Sequence, residues 1–198
     1  MSRHRDYFNQ MAAQWDSIYT REGFLRLTHI IAQLDIRPGA TVLDVGSGTG
    51  ILLPLLTQAV GEKGRIVALD FAEEMLSRAK AKGFAGNIEY IVADASDMPL
   101  PDGSFDWVIC NAVFPHFPDK SKALTEIARV LKRRGKLAIC HVRSRQAVNE
   151  MHRTIGGAIA DDLIPDDGQV RQLLADSGFT GIEIEDGMDR YIATAMRA

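Results

Sequence analysis

The sequence is short of cysteine, of excess basic charge and of long apolar runs, and each shortage excludes a class of protein. Only Cys110 and Cys140 are present, each inside an apolar run. No disulfide framework is therefore expected, and two buried thiols in a reducing, cytoplasmic setting are. Lysine and arginine total 23 against 26 aspartate and glutamate, a formal net charge of −3. A dedicated nucleic-acid binder carries a basic footprint instead. No apolar stretch approaches the roughly 18 residues that span a bilayer, and residues 1–10 are polar, so neither a membrane span nor a signal peptide is expected. Internal repeats, low-complexity tracts and linkers are missing too. What is there is an ordinary globular composition, 46% hydrophobic and 25% charged over 198 residues. Area scaling at this size gives a folded surface of about 9,300 Å² and burial of about 70% of the chain's surface, enough for a core without a metal or disulfide staple.

Two periods alternate along the chain. Tyr7, Phe8, Met11, Ala12 and Trp15 recur at helical spacing, as do Leu27, Ile30, Ile31 and Leu34. Arg37-Pro38-Gly39 stops the second helix. Strands are expected over 41–45, 65–70, 88–93, 105–111 and 136–142, and helices over 50–60, 72–82 and 120–132, with a turn at Arg134-Gly135 before the fifth strand. That alternation predicts parallel βαβ units with right-handed crossovers. Beyond residue 142, Val148, His152, Ile155 and Ile159 form one helical face, and a helix over 169–177 stops at Gly178. Strand-like runs at 181–184 and 191–196 lie too close for a parallel crossover and predict an antiparallel hairpin.

Asp44-Val45-Gly46-Ser47-Gly48-Thr49-Gly50 falls directly between the first strand and a helix. Such a turn lets backbone approach a ligand where a side chain would block it. The spacing is G-x-G-x-G, not the dinucleotide fingerprint G-x-G-x-x-G. Asp44 beside the glycines suits a cation better than a pyrophosphate. Asp70 ends the second strand, placed to accept from two ribose hydroxyls, and Asp94 ends the third, placed to accept from an exocyclic amine. Each acid alone also suits a turn cap. Three acids at successive strand ends beside a glycine turn mark the edge where an open α/β sheet binds ligands.

The run 42–50, Val-Leu-Asp-Val-Gly-Ser-Gly-Thr-Gly, resembles the first motif of class I S-adenosylmethionine-dependent methyltransferases. Leu69-Asp70-Phe71-Ala72-Glu73-Glu74-Met75-Leu76, Ala93-Asp94-Ala95, Phe105-Asp106-Trp107-Val108 and Leu131-Lys132-Arg133-Arg134-Gly135-Lys136-Leu137 are similar to that family's later landmarks, in order. The similarity spans roughly residues 5–142. It implies an α/β, Rossmann-like, doubly wound, seven-stranded, mostly parallel sheet with an antiparallel C-terminal hairpin strand. It also implies a site: Asp70 at the ribose, Phe71 and Met75 flanking the adenine, Asp94 and the Ala95 backbone at the adenine edge. Gly46, Gly48 and Gly50 would pass under the methionine part, with Asp44 near its ammonium group and Asn111 on the methyl-donor side. Pro54 departs from the pattern, since a helix accepts proline only in its first turn. One domain over 1–198 is expected: a helical lid over 1–37, cofactor-binding units over 41–142, and substrate-side helices with the hairpin over 143–198.

The family transfers a methyl group by in-line displacement to an acceptor. No Asn-Pro-Pro-Tyr motif follows the fourth strand; Asn111-Ala112-Val113-Phe114-Pro115-His116-Phe117 is similar to small-molecule methyltransferases, and the opening Tyr7-Phe8-Asn9-Gln10-Met11 loosely resembles enzymes of quinone biosynthesis. The expected acceptor is a small molecule, anionic or metal-bearing, and not a nucleic acid. His116, His141 and His152 are expected to converge on it, as catalytic bases or as ligands to a metal that the reaction does not itself require. The blander alternative is a loop histidine and a satisfied, half-buried one. Buried imidazoles need a metal, a carboxylate such as Asp161 or Asp162, or water. His141, Arg143 and Arg145 share a face if the strand continues, placed to meet an anion. Two other classes stand beside this reading. One is a non-catalytic S-adenosylmethionine- or S-adenosylhomocysteine-binding regulator; the other, a nicotinamide dehydrogenase, is disfavoured by the glycine spacing.

Overall fold

Strand β1 (Thr41–Val45) forms where an apolar run follows the proline-glycine stop, and four of its five residues are buried. The computed structural model describes residues 2–198; Met1, counted above in the polar opening stretch and the lid, lies outside them. Among the described residues β2 (Arg65–Asp70), β3 (Ile88–Val92), β4 (Phe105–Asn111), β5 (Leu131–His141), β6 (Phe179–Asp186) and β7 (Tyr191–Arg197) join β1 in one seven-stranded sheet, ordered β3-β2-β1-β4-β5-β7-β6. The first five strands pair in parallel, and β7 runs antiparallel to both β5 and β6. This is the Rossmann-like α/β sheet with its antiparallel hairpin strand. The strand order reverses between β1 and β4, so the crevice outside their C-terminal ends, at Val45 and Asn111, is the place for a ligand.

Alternation along the strands builds two cores. Leu43, Val67, Leu69, Val108, Cys110, Leu137 and Ile139 face one side, with helices α5 (Lys120–Val130) and α7 (Asp167–Asp176). Val42, Ile66, Ala68, Trp107, Ile109, Ala138 and Cys140 face the other, with α2 (Arg21–Gln33) and α3 (Leu53–Val60). Each fully buried aliphatic side chain stabilises the fold by about 1.5–3 kcal/mol relative to exposure. The accessible surface, 9664 Å², is close to the scaling value. A third, smaller cluster joins Phe8 and Ala12 to Ala72, Met75 and Ile159. It packs α1 (Ser2–Met11) and the 3-10 segment Ala12–Ile18 against α4 (Glu73–Ala81).

Several expected boundaries move, each for a local reason. The helix after the glycine turn starts only at Leu53, which puts Pro54 in its first turn, where a missing N–H costs nothing. The turn at Arg134-Gly135 does not precede β5 but lies inside it. Arg134 adopts φ +62 and the pairing with β4 slips between Phe105 and Trp107. The helical face through Val148 and Ile159 is cut, because α6 (Arg145–Ile155) ends at Gly156 with φ +71. Ile155 is consequently 52% exposed, whereas Ile159 joins the small cluster from a separate 3-10 turn. Of the stretch expected as a lid over 1–37, Leu27, Ile30 and Ile31 of α2 belong to a main core, whereas α1 and the 3-10 segment pack in the third cluster.

Candidate active site

The glycine turn leaves β1 with Gly46 and Gly48 at φ +70 and +54, values that favour glycine. A Cβ on Gly46 would sit 2.3 Å from Val113 Cγ2, so that position is bare to let β4's loop pack against it. A Cβ on Gly48 would meet only the Trp15 indole, Nε1 at 3.5 Å and Cδ1 at 3.9 Å. Gly50, expected under a ligand, is not among the residues lining the two clefts at the turn; a Cβ there would collide with Phe84 and Leu53.

Asp70 organises the turn. Its two carboxylate oxygens accept from Gly48 N–H and Ala72 N–H, both at 2.8 Å. Burial pushes its pKa up to about 6, against the pull of those N–H groups. Asp44 is different. It is buried, and among the described residues neither of its oxygens has a hydrogen-bond partner. Burial first, and the charge of Asp70 second, push it up to about 8. The Tyr19 hydroxyl, in the same cleft, is pushed up to about 12, by burial first and then by Asp44. A buried, unpartnered carboxylate is costly unless a cation or donor arrives to meet it.

Phe8, Trp15, Tyr19, Asp44, Gly46, Gly48, Asp70, Phe71, Met75 and Asn111 line one cleft. Asp94 and Ala95 line a second that shares Gly46, Asp70, Phe71, Val113 and His116 with the first. One Asp94 oxygen caps its own turn, accepting from Ser96 N–H at 2.8 Å and Ser96 Oγ–H at 2.6 Å, which leaves the other oxygen for a ligand. α1 and the 3-10 segment are tied to the walls of this cleft. Lys82 Nζ donates to Asp16 and to the Thr49 carbonyl, each at 2.8 Å, and Thr49 Oγ1 donates to Asp16. Arg5 Nε donates to the Phe71 carbonyl at 2.9 Å.

His116, His141 and His152 line one further cavity, with Trp15, Tyr19, Arg26, Arg143, Val148 and Met151 around them. His116 borders all three cavities, and its ring centroid is 4.9 Å from that of His152. Ser144 caps α6 by accepting from Ala147 N–H, which sets the helix phase that turns His152 inward. Sharing a cavity is not sharing an ion: among the described residues no three His, Cys, Asp or Glu side chains are grouped to hold a metal. His116 Nδ1 is 2.7 Å from Asp162 Oδ2, and His152 Nδ1 meets the Asp162 carbonyl, so one nitrogen of each ring is engaged. His141 is sealed at Nε2 without a partner, and burial pushes it down to about 3. The face expected for His141, Arg143 and Arg145 also breaks. β5 ends at His141, and Arg145 turns away to Asp186 and Asp167 at 3.6 and 4.0 Å.

Sequence reasoning missed Arg26 and Tyr19, which line the histidine cavity from the first 26 residues, and saw Asp162 only as one of two adjacent candidates. Helical periodicity marks which residues are buried; it says nothing of which cavity a chain segment returns to.

Residues 43–139 match the family described as "Methyltransferase domain". The Escherichia coli ubiquinone/menaquinone biosynthesis C-methyltransferase UbiE is 30% identical over 175 aligned residues, covering 75% of this chain and 69% of that protein. A crystal structure of an S-adenosylmethionine-dependent methyltransferase from Aquifex aeolicus superimposes with a TM-score of 0.77 at 28% identity, over 94% of this chain and 98% of that one. Haemonchus contortus phosphoethanolamine N-methyltransferase 2, solved with S-adenosylhomocysteine, shares the fold at 17% identity and TM-score 0.70, over 86% of this chain and 52% of that one. With the switch-point crevice, the glycine turn and the acids at successive strand ends, these likenesses show that the chain belongs to the class I S-adenosylmethionine-dependent methyltransferases and is a methyl-transferring enzyme related to those of quinone biosynthesis.

Proposed function

We propose that the two joined clefts hold the cofactor and that the histidine-lined cavity takes a small-molecule acceptor. In this reading Asp44 meets the ammonium group of the methionine part, with Gly46 and Gly48 beneath it. Asp70 offers its remaining lone pairs to the ribose hydroxyls, Phe71 and Met75 flank the adenine, and Asp94 with Ala95 meets its edge. Asn111 stands on the methyl-donor side. The observation that carries the reading is Asp44, a buried carboxylate with two unpartnered oxygens in the crevice where the strand order reverses. Its chemistry fits a ligand bearing a positive charge. When bound, S-adenosylmethionine supplies a methyl group on a sulfonium, activated for displacement with the electron pair leaving on sulfur. The chain's own part is to hold donor and acceptor in line and to exclude water with Phe8, Trp15 and Tyr19.

The mainly apolar lining of the acceptor cavity, with Arg26 and Arg143 among its walls, supports an acceptor with an apolar body and an anionic group. Kinship with an enzyme named for C-methylation in ubiquinone and menaquinone biosynthesis supports a small molecule over a macromolecule. The free, buried Cys110 and Cys140 support a reducing cytoplasm, and among the described residues no helix is long and apolar enough to cross a membrane.

Calorimetric titration tests the cofactor site. S-adenosylhomocysteine should bind and NAD should not. Asp70→Ala should weaken binding at least about 10-fold, since charge-assisted hydrogen bonds are worth about 1.5–3 kcal/mol each. Heat with NAD and none with either sulfur nucleoside would sink the assignment.

A further inference from the structure

One residue of the loop after α6, Asp162, touches two imidazoles of the acceptor cavity through different groups. Its carboxylate Oδ2 lies 2.7 Å from His116 Nδ1, and its backbone carbonyl faces His152 Nδ1. A carboxylate and a carbonyl can only accept, so both Nδ1 atoms carry hydrogen. In a neutral imidazole the other nitrogen is then a bare lone pair. Neither Nε2 atom has a protein partner among the described residues, and neither is sealed from solvent as His141 Nε2 is. Both rings line the cavity, and His116 also borders the two neighbouring clefts.

We propose that Asp162 is a positioning residue: its carboxylate and carbonyl hold His116 and His152 in the Nδ1–H form, and His116 Nε2 takes a proton from the acceptor during methyl transfer. The proposal rests on the reading that this cavity holds the acceptor. The acceptor's X–H bond breaks, its proton goes to Nε2, and the electron pair left on X forms the bond to the methyl carbon. The resulting imidazolium is met by the Asp162 carboxylate. The acceptor class is thereby narrowed to groups that lose a proton on methylation, such as a hydroxyl, a thiol, a primary or secondary amine or an activated carbon acid, and away from thioethers and tertiary amines. His116 is suited to this because burial holds its pKa below the ordinary histidine value, against the raising effect of Asp162, so it is a free base at neutral pH. The charged and titratable groups facing it are Asp162, His152, His141, His4 of α1, whose Nε2 lies 3.0 Å from the same carboxylate, and Lys120, whose charge acts on Asp162.

Nitrogen-15 NMR of the histidine rings in the full cofactor-free chain tests the tautomers without any substrate. His116 and His152 should both show protonated Nδ1 and bare Nε2 at pH 7.5. In Asp162→Ala, His116 should exchange between tautomers and titrate at a lower pH, while His152 keeps its Nδ1–H because the backbone carbonyl remains. Asp162→Asn, which retains an accepting oxygen, should keep the His116 tautomer, and it replaces the alanine variant if that one does not fold. The release of S-adenosylhomocysteine at saturating donor, with a pooled small-molecule extract as acceptor source, should fall about 10²-fold in Asp162→Ala. Its acid limb should move to lower pH, which a merely structural loss would not do. His116 protonated at Nε2 in the native chain, or an unmoved tautomer in Asp162→Ala, overturns the proposal. His116→Gln separates the two readings. If it slows release and Asp162→Ala does not, the cavity holds the acceptor and Asp162 positions nothing; if neither slows it, the cavity reading itself falls.

Discussion

Asp44 is the residue whose environment asks for a ligand most directly. Its pKa stands at about 8, far above its ordinary 3.8, by burial first and Asp70 second. Between those two values the folded chain holds a proton that the unfolded chain has lost. The stability this group contributes is therefore present at low pH and fades as pH rises through about 8. A cationic ligand favours the carboxylate and reverses the preference, so cofactor binding at pH 7 should release close to one proton, and little at pH 9. Binding heats in buffers of different ionisation enthalpy measure the release, which Asp44→Asn should abolish. His141 shifts the opposite way, down to about 3, by burial. Its contribution is whole above the ordinary 6.5 and is lost as pH falls from there toward 3. Against His141→Leu, the native chain should lose ground below pH 6.5 by up to about 1.4 kcal/mol per pH unit in denaturant titrations. An unchanged gap would mean that the imidazole ionises freely. The glycines and acids of this site were legible in the sequence because a backbone conformation or a strand end demands a residue type. Asp162 was legible only as one of two adjacent candidates, since its bonds to His116 and His4 span 46 and 158 residues.

Elements were legible wherever one period ran unbroken, as in β1, β2, β4 and α4. They shifted where a local exception competed with the pattern: Pro54 delaying α3, Arg134 bulging β5, Gly156 cutting α6. The opening segment was mixed, because the apolar stripe through Tyr7 and Trp15 reads the same whether a helix joins the core or lies on it. The structure separates the cases by cluster. Phe8 and Ala12 belong to the small third cluster, with Phe8 also edge-on to the His116 ring, while α2 completes a main core. Deleting residues 2–19 should therefore leave a folded chain by circular dichroism, destabilised by about 1–3 kcal/mol, with donor turnover lost far more than stability. Asp16→Ala, which cuts the clamp from Lys82 to Thr49, should loosen the same lid with the chain intact and raise donor KM. A truncated chain that unfolds would make α1 structural.

At the scale of the whole molecule, the crevice is where both main cores and the third cluster meet. β1 and β4 supply its floor, Met75 and Phe8 its link to the third cluster, and Asp162 its link from the histidine-lined cavity to α1. A ligand there braces every layer at once, and a chain of 198 residues built on one sheet should unfold as one unit. S-adenosylhomocysteine at 100 times its Kd should add about 2.7 kcal/mol. At about 2–4 °C per kcal/mol for a domain of this size, the melting temperature should rise by about 5–11 °C. Scanning calorimetry should show a single transition moving upward as a whole. NAD at the same concentration should not move it, and the chain lacking residues 2–19 should show a smaller rise at equal ligand, because the lid's share of the contacts is gone. Two transitions, only one of them ligand-sensitive, would mean that residues 143–198 fold apart from the cofactor-binding half, and the single-domain reading would fail.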